Sequence, residues 1–403
     1  MFTEVQIENY KSIQSLKIGL GWVNVFIGEN GCGKSNILEA IALAGAAAGN
    51  KLDNEFLAPR GIRVTEPEFM RSAFDKENVS KEIKISLKLF EIGSGHNESN
   101  FIIQHDNKPY SNWENTLGRF DHLIENSLGN QIDEQIISYM ANFIQKQIKK
   151  NKEHAETDSK IIEELSYKLA HQSQQQFRYS IQGRLEIKSF LIYSPENSSL
   201  RIFEEEGQVQ PLGTKGEGLL KLLKVLSNTP KKIDEIKKRL ELIDWFDDFK
   251  IHQDSDIERT IQIKDRYLDQ ELAYFNQRSS NEGFLFLMFY FALFVSDDTP
   301  KFFAIDNIEN ALNPKLCTRL IQELVELAKK YDKQVIFTTH NPAVLDGLDL
   351  HDDEQRLFTI YRNIYGHTKA ERIFAPQPLE DEDPVPLSEA FMNGYIGGLP
   401  DNF

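Results

Sequence analysis

The stretch FIGENGCGKSNILEA, residues 26–40, constrains this chain more than any other. Gly28, Gly33, Lys34 and Ser35 fit the pattern G-x-x-x-x-G-K-[ST]. In such a loop the glycines let backbone N–H groups turn toward phosphate oxygens, the lysine reaches the β- and γ-phosphates, and the hydroxyl binds Mg²⁺. Asn30, Gly31, Cys32 and Asn36 complete the loop around Gly33. Ahead of it, VNVFI (residues 23–27) is an apolar run of strand type. Behind it, Ile37, Leu38, Ile41 and Leu43 fall at helical spacing. Strand, loop and helix in that order put an anion at a helix N-terminus. The competing reading is an ordinary strand–turn–helix with glycine for the tight turn.

A phosphate loop that serves a nucleotide needs a second strand ending in an acidic residue to hold the metal. KFFAIDNIENALNP supplies one, with residues 302–305 apolar and Asp306 at the end of the run. KQVIFTTHNPAVLDGL contains a further apolar strand that ends at His340. Between them, PKLCTRLIQELVELAKKY carries Leu316, Leu320, Leu324 and Leu327 on one side of a predicted helix. Strand–helix–strand with apolar strands reads as a parallel βαβ unit covered on both faces. Taken alone, Asp306 also fits a turn after a core strand, and His340 a satisfied histidine at a strand end.

Composition narrows the class. A chain of 403 residues with 40% hydrophobic content can build one large elaborated domain or two smaller ones. Two cysteines, one inside the phosphate loop, suit a reducing compartment and exclude a disulfide scaffold. The first residues show no basic region followed by an apolar stretch, so no signal peptide is expected and the predicted location is cytoplasmic. The longest apolar run, FLFLMFYFALFV at 284–295, is too short to span a bilayer and reads as a buried helix, so no membrane contact is expected. A net charge of −16 argues against a generally basic nucleic-acid binder but allows a local basic groove.

At this point the sequence resembles a family. The order of GENGCGKSN, a later S/N-x-G stretch, DNIENALNP and TTHNP is similar to ABC-type ATPase heads. The opening VQIENYKSIQSLKIGL, which leads into the loop, resembles the bacterial branch near RecF, SMC and the overcoming-lysogenization-defect ATPases. The nearest resemblance is to the ATPases of Septu-type anti-phage systems. The resemblance to the ABC-type heads of this branch is specific over residues 1–60 and 275–350 and weak between them. The resemblance implies an α/β fold: an ABC-ATPase head with a mixed or parallel core sheet flanked by helices, an antiparallel β-subdomain and a short inserted helical arm. The cofactors it implies are ATP and Mg²⁺, with Ser35 and Asp306 on the metal and His340 as sensor of the γ-phosphate. It also implies a face-to-face homodimer, or a higher even-numbered oligomer, with ATP sandwiched between one subunit's phosphate loop and the other's signature loop. QRSSNEGFLFLMFYFALF is the candidate signature, with Ser280, Asn281 and Gly283 assigned in a pattern S-x-x-G that departs from L-S-G-G-Q. Read without the family, the same residues make a plain helix N-cap.

A second departure bears on chemistry. The family has Asp-Glu at the end of this strand, and here Asn307 follows Asp306. An amide can hold a water but cannot take its proton. Glu309 could face the same way if the chain stays extended, although the family often carries that second glutamate as well as the first. The expectation is ATP binding with slow hydrolysis.

The remaining segments are less constrained. KEIKISLKLFEI, SNFIIQHD and QGRLEIKSFLIYSPENSSLRIF alternate like antiparallel strands. The expected organisation is an N-terminal lobe at 1–111, a helical insertion at 112–177, a C-terminal lobe at 178–375, and an acidic, proline-containing linker with an apolar docking segment at 376–403. Two further helices are predicted in GTKGEGLLKLLKVLSNTPKKIDEIKKRLELIDWF. Two cationic groups, Lys146, Lys149, Lys150 and Lys152, and Lys231, Lys232, Lys237, Lys238 and Arg239, are candidate DNA contacts or solvated helix faces. The sequence shows no HNH motif, TOPRIM acidic triad or Cys/His metal cluster, so any nucleic-acid cleavage falls to a separate nuclease, with an HNH type favoured. Two functions stay open: the scaffold of an anti-phage complex that controls such a nuclease, or a RecF-like repair ATPase acting directly on DNA. A transporter nucleotide-binding subunit is a third class, disfavoured by the large insertion and the missing L-S-G-G-Q.

Overall fold

The computed structural model describes residues 1–91, 95–116, 183, 186–203, 211–251, 259–272, 274–375 and 385–399. Of the helical insertion predicted at 112–177, residues 117–177, with the lysines at 146–152, lie outside the described residues, as do the acidic linker and the last four residues; its described start is not helical but carries a short strand, Glu114–Asn115.

Fourteen strands occur in the described residues: β1 (Phe2–Tyr10), β2 (Ile13–Gly19), β3 (Val23–Ile27), β4 (Ile83–Glu91), β5 (Gly95–Gln104), β6 (Glu114–Asn115), β7 (Ile192–Tyr193), β8 (Phe246–Ile251), β9 (Ile261–Asp265), β10 (Tyr274–Asn276), β11 (Phe302–Ile305), β12 (Gln334–Thr339), β13 (Gln355–Arg362) and β14 (Thr368–Ile373). The α-helices of six or more residues there are α1 (Lys34–Ala48), α2 (Leu219–Leu226), α3 (Pro230–Leu240), α4 (Glu282–Val295), α5 (Pro314–Tyr331) and α6 (Leu387–Met392).

The central sheet runs β14-β13-β3-β12-β11-β7, parallel except for the outer hairpin of β13 and β14. Strands in such a position are covered on both sides and read as continuous apolar runs, and β3, β11 and β12 are buried at every residue. Their side chains alternate between two cores. Val23, Val25, Phe303, Ile305, Val335 and Phe337 enter one with the apolar run Phe284–Val295 of α4 and the leucine stripe of α5. Phe26, Phe302, Ala304 and Ile336 enter the other with α1 and a five-stranded antiparallel sheet ordered β2-β1-β4-β5-β6. Gln334 joins the layers: its side chain donates to Phe2 O and Gly21 O and accepts from Phe2 N. A three-stranded antiparallel sheet, β10-β9-β8, lies ahead of α4 in the chain.

The predicted βαβ unit forms with β11 and β12 paired in parallel through α5. One expectation fails. QGRLEIKSFLIYSPENSSLRIF does not contribute antiparallel strands. Among its described residues only β7 is a strand, and it pairs in parallel with β11 at the edge of the central sheet. Phe190, Leu191, Ile192 and Tyr193 are buried in succession, so the segment is covered on both faces, and a short helix, Asn197–Arg201, follows it.

The apolar C-terminal segment docks on its own chain. In α6 the Ser388 N–H donates to Asp346 Oδ1 (2.9 Å) and its hydroxyl to Oδ2 (2.6 Å). Phe391 of α6 is buried in the first core.

Candidate functional site

Parallel register sets the site. Ile305 pairs with Phe337, and Thr339 with Ile27. The phosphate loop after Ile27, Asp306 after Ile305 and His340 after Thr339 therefore emerge together at the carboxyl ends of neighbouring strands, where open α/β sheets place their ligands.

The loop needs its glycines. Gly31 and Gly33 hold φ of 79° and 111°, in the left-handed region that favours glycine. A Cβ on Gly33 would stand 2.1 Å from Thr368 Oγ1, and one on Gly28 2.1 Å from Ile360 O. Lys34 and Ser35 open α1. The Lys34 ammonium donates to Gly28 O (2.7 Å) and Glu29 O (3.0 Å) and lies 3.3 Å from His340 Nδ1. Burial pulls the Lys34 pKa down. Burial, and then the Lys34 charge, pull that of His340 down, which favours a neutral imidazole. Cys32 is buried with its thiol 3.8 Å from the Lys34 ammonium, and burial pushes its pKa up.

Ser35 Oγ donates to Asp306 Oδ2 (3.2 Å), so the two metal-ligand candidates face each other across α1 and β11. Thr338 on β12 donates its hydroxyl to the same carboxylate and accepts from Asn307 N–H (2.9 Å). The chain does not stay extended beyond Asp306. Asn307 takes φ 56°, and Glu309 Oε1 accepts from His340 N–H (2.8 Å). Asn36 donates to Ser12 Oγ (2.6 Å), and its own oxygen accepts from Arg63. Asn30 lies at the loop's exposed tip beside Gly31.

The signature candidates open α4. Asn281 is the N-cap, its side chain accepting from Phe284 N–H (2.8 Å). Ser280 is buried, with its hydroxyl unpartnered among the described residues. A Cβ on Gly283 would meet Ala311 O at 3.0 Å, so the start of α4 packs on the segment that follows Asp306.

Several loop-bracing residues escape the motif reading. Thr368 on β14 donates to Cys32 O (2.8 Å) and shares a hydrogen bond with Ser12 (2.7 Å), while Arg362 on β13 donates to Gly31 O (2.8 Å). Ser12 sits inside the quoted NYKS and Thr338 inside FTTHNP, whereas Thr368 and Arg362 carry no sequence signal. Beside the loop lies a cavity of about 430 Å³ lined by Lys11, Ser12, Asn36, Arg63, Phe74 and Arg362, among others. Two of its cations, Lys11 and Arg63, pair with the buried Glu39 of α1.

The description "AAA ATPase domain" (AAA_15) matches residues 1–345. The chain belongs to this AAA ATPase domain family. Solved structures similar to it include an Smc head bound to the C-winged helix domain of ScpA, 13% identical over 93% of this chain and 97% of that one, with a TM-score of 0.55. An Smc head with an extended coiled coil, bound to the C-terminal domain of ScpA and derived from Pyrococcus furiosus, is 13% identical over 93% and 96%, with a TM-score of 0.50. These likenesses show the fold of an SMC-type ATPase head. No curated protein matches the chain.

The second cationic group of this ATPase domain is largely occupied within the chain. Lys232 pairs with Asp297 (2.6 Å) and Lys237 with Asp248 (2.6 Å), while Arg239 meets Glu235, Glu323 and Glu326. No helix among the described residues is long and apolar enough to cross a membrane.

Proposed function

We propose that the chain binds ATP with Mg²⁺ at the carboxyl edge of its central sheet and serves as a nucleotide-held scaffold, hydrolysing ATP slowly. The observation that carries this is the convergence of Lys34, Ser35, Asp306 and His340, residues far apart in sequence, on one loop whose Gly28 and Gly33 leave no room for side chains. The glycine-lined turn and the start of α1 would hold the phosphates, and Ser35 and Asp306 the metal, with His340 beside the terminal phosphate. Mg²⁺ when bound would neutralise phosphate charge. Asn307 stands where a glutamate base would, and an amide oxygen does not accept water's proton at neutral pH.

The reading extends to assembly. Asn281 and Gly283 at the start of α4 would meet the nucleotide of a second copy, making a sandwich dimer. The resemblance to anti-phage ATPases, together with Asn307, supports a regulatory subunit that controls a separate nuclease. Direct action on DNA has less support, because Lys232, Lys237 and Arg239 already hold carboxylates of the same chain.

The test measures ATP bound per chain and ATP hydrolysed per minute for the purified protein and for Lys34→Ala. Tight binding with almost no turnover is expected, with affinity falling on the order of a hundredfold in the variant, the loss of about 3 kcal/mol of charge-assisted contact. Unchanged affinity in Lys34→Ala would remove the cradle, and brisk turnover by the parent would remove the scaffold.

A further inference from the structure

Three successive residues after Asp306 are stitched to the end of β12. Asn307 N–H donates to Thr338 Oγ1 (2.9 Å), Ile308 N–H to Thr338 O (3.1 Å), and Glu309 Oε1 accepts from His340 N–H (2.8 Å). The second Glu309 oxygen is buried, with no hydrogen-bond partner among the described residues. Burial first, and then the Glu309 charge, push up the pKa of both the Tyr290 hydroxyl on α4 and the Cys317 thiol on α5.

A general base must come within hydrogen-bonding reach of the water it deprotonates. Glu309 Oε1 accepts a main-chain amide at an exposed contact, and Oε2 is closed off from solvent. We propose that Glu309 is a positioning residue for His340 and not the base that activates water. Its carboxylate fixes the His340 main chain where β12 ends, and the imidazole then lies 3.3 Å from the Lys34 ammonium. His340 is exposed and leads straight into the turn Pro342–Gly347, so β12 pairing alone does not hold it. The hydrogen bond that His340 N–H donates to Glu309 Oε1 adds a restraint there. Tyr290 donates to Ile308 O (3.5 Å), which brings α4 against the same segment. The placement of His340 thus depends on packing that reaches back to the signature helix.

This inference rests on the proposal that the loop is a nucleotide site, but its first readout needs no nucleotide. In the full chain, Glu309→Gln and Glu309→Ala are compared with the parent by the His340 amide resonance and its hydrogen-exchange protection without ATP, then by ATP affinity and turnover. The glutamine oxygen still accepts the amide, so Glu309→Gln is expected to keep the resonance and its protection. Glu309→Ala is expected to lose about tenfold or more in protection, the worth of a hydrogen bond to a charged group. Turnover falls less in Glu309→Gln than in Glu309→Ala, a rescue by the conservative variant. Two results would overturn the proposal: an unchanged His340 amide in Glu309→Ala, or turnover lost as completely in Glu309→Gln as in Glu309→Ala while the amide stays protected, which would make the carboxylate the base. If Glu309→Ala does not fold, the pairing of amide protection with turnover in Glu309→Gln still decides. Failure of the parent to bind ATP would sink the nucleotide reading and leave the amide result standing.

Discussion

Replacing Thr338 by valine tests the joint at the centre of the site. Valine keeps the β-branched shape that a central strand favours, so the change removes only the hydroxyl. That hydroxyl is fully buried and makes two bonds, one donated to the Asp306 carboxylate and one accepted from Asn307 N–H. A hydrogen bond to a charged group is worth about 1.5–3 kcal/mol, and an orphaned buried N–H costs about 1–3 kcal/mol. The two are not additive, because both pass through one oxygen and Asp306 is only partly buried with Ser35 still beside it. The expected loss is therefore about 2–3 kcal/mol, slightly offset by valine's greater apolarity. Urea unfolding measures it as a fall in midpoint at constant slope. Thr338→Ser serves as control: it keeps both bonds and loses a methyl group, at about 1 kcal/mol. A valine variant as stable as the parent beside a weakened serine variant would show that packing, not the hydroxyl, holds the joint.

Three further outcomes are expected. Gly33→Ala forces an L-residue to φ 111° and sets a Cβ 2.1 Å from Thr368 Oγ1, a strain and overpacking of roughly 2–4 kcal/mol that should lower the thermal midpoint; an unchanged midpoint contradicts the loop geometry. Lys333 is buried, and that burial pulls its pKa down to about 7, so the folded chain releases a proton that the unfolded chain keeps to about 10.4. Stability should then rise with pH between these values, and Lys333→Met should abolish the rise; the same slope in the variant refutes the assignment. Phe391→Ala removes a buried ring worth about 3–5 kcal/mol in a core. Since that ring, with Leu387 and the Ser388–Asp346 pair, fastens α6 to the core, the segment should become cleavable by protease while the head stays folded; unaltered resistance counts against docking.

Much of the fold was legible in the chain because it rests on local pattern. The run VNVFI, the glycines of the loop and the helical spacing after Ser35 dictate strand, turn and helix within a few residues. The same holds for the βαβ unit around α5 and for the apolar α4. Tertiary structure alone decided what meets across the sheet. Thr368 and Arg362 brace a loop more than three hundred positions away because β13 lies beside β3 and β14 beside β13. Thr338 reaches Asp306 because of one parallel register. The same cause misled the reading of QGRLEIKSFLIYSPENSSLRIF: its apolar residues mark burial, but not the strand they pair with or the direction of pairing. The lysines and arginine at 231–239 read as a charge run, and only packing revealed carboxylates on β8 and α5 as the partners of Lys237 and Arg239. Hydrophobic period is a property of neighbours in sequence. The partner of a side chain depends on the register of strands brought together from distant parts of the chain, and that is decided only when the whole core closes.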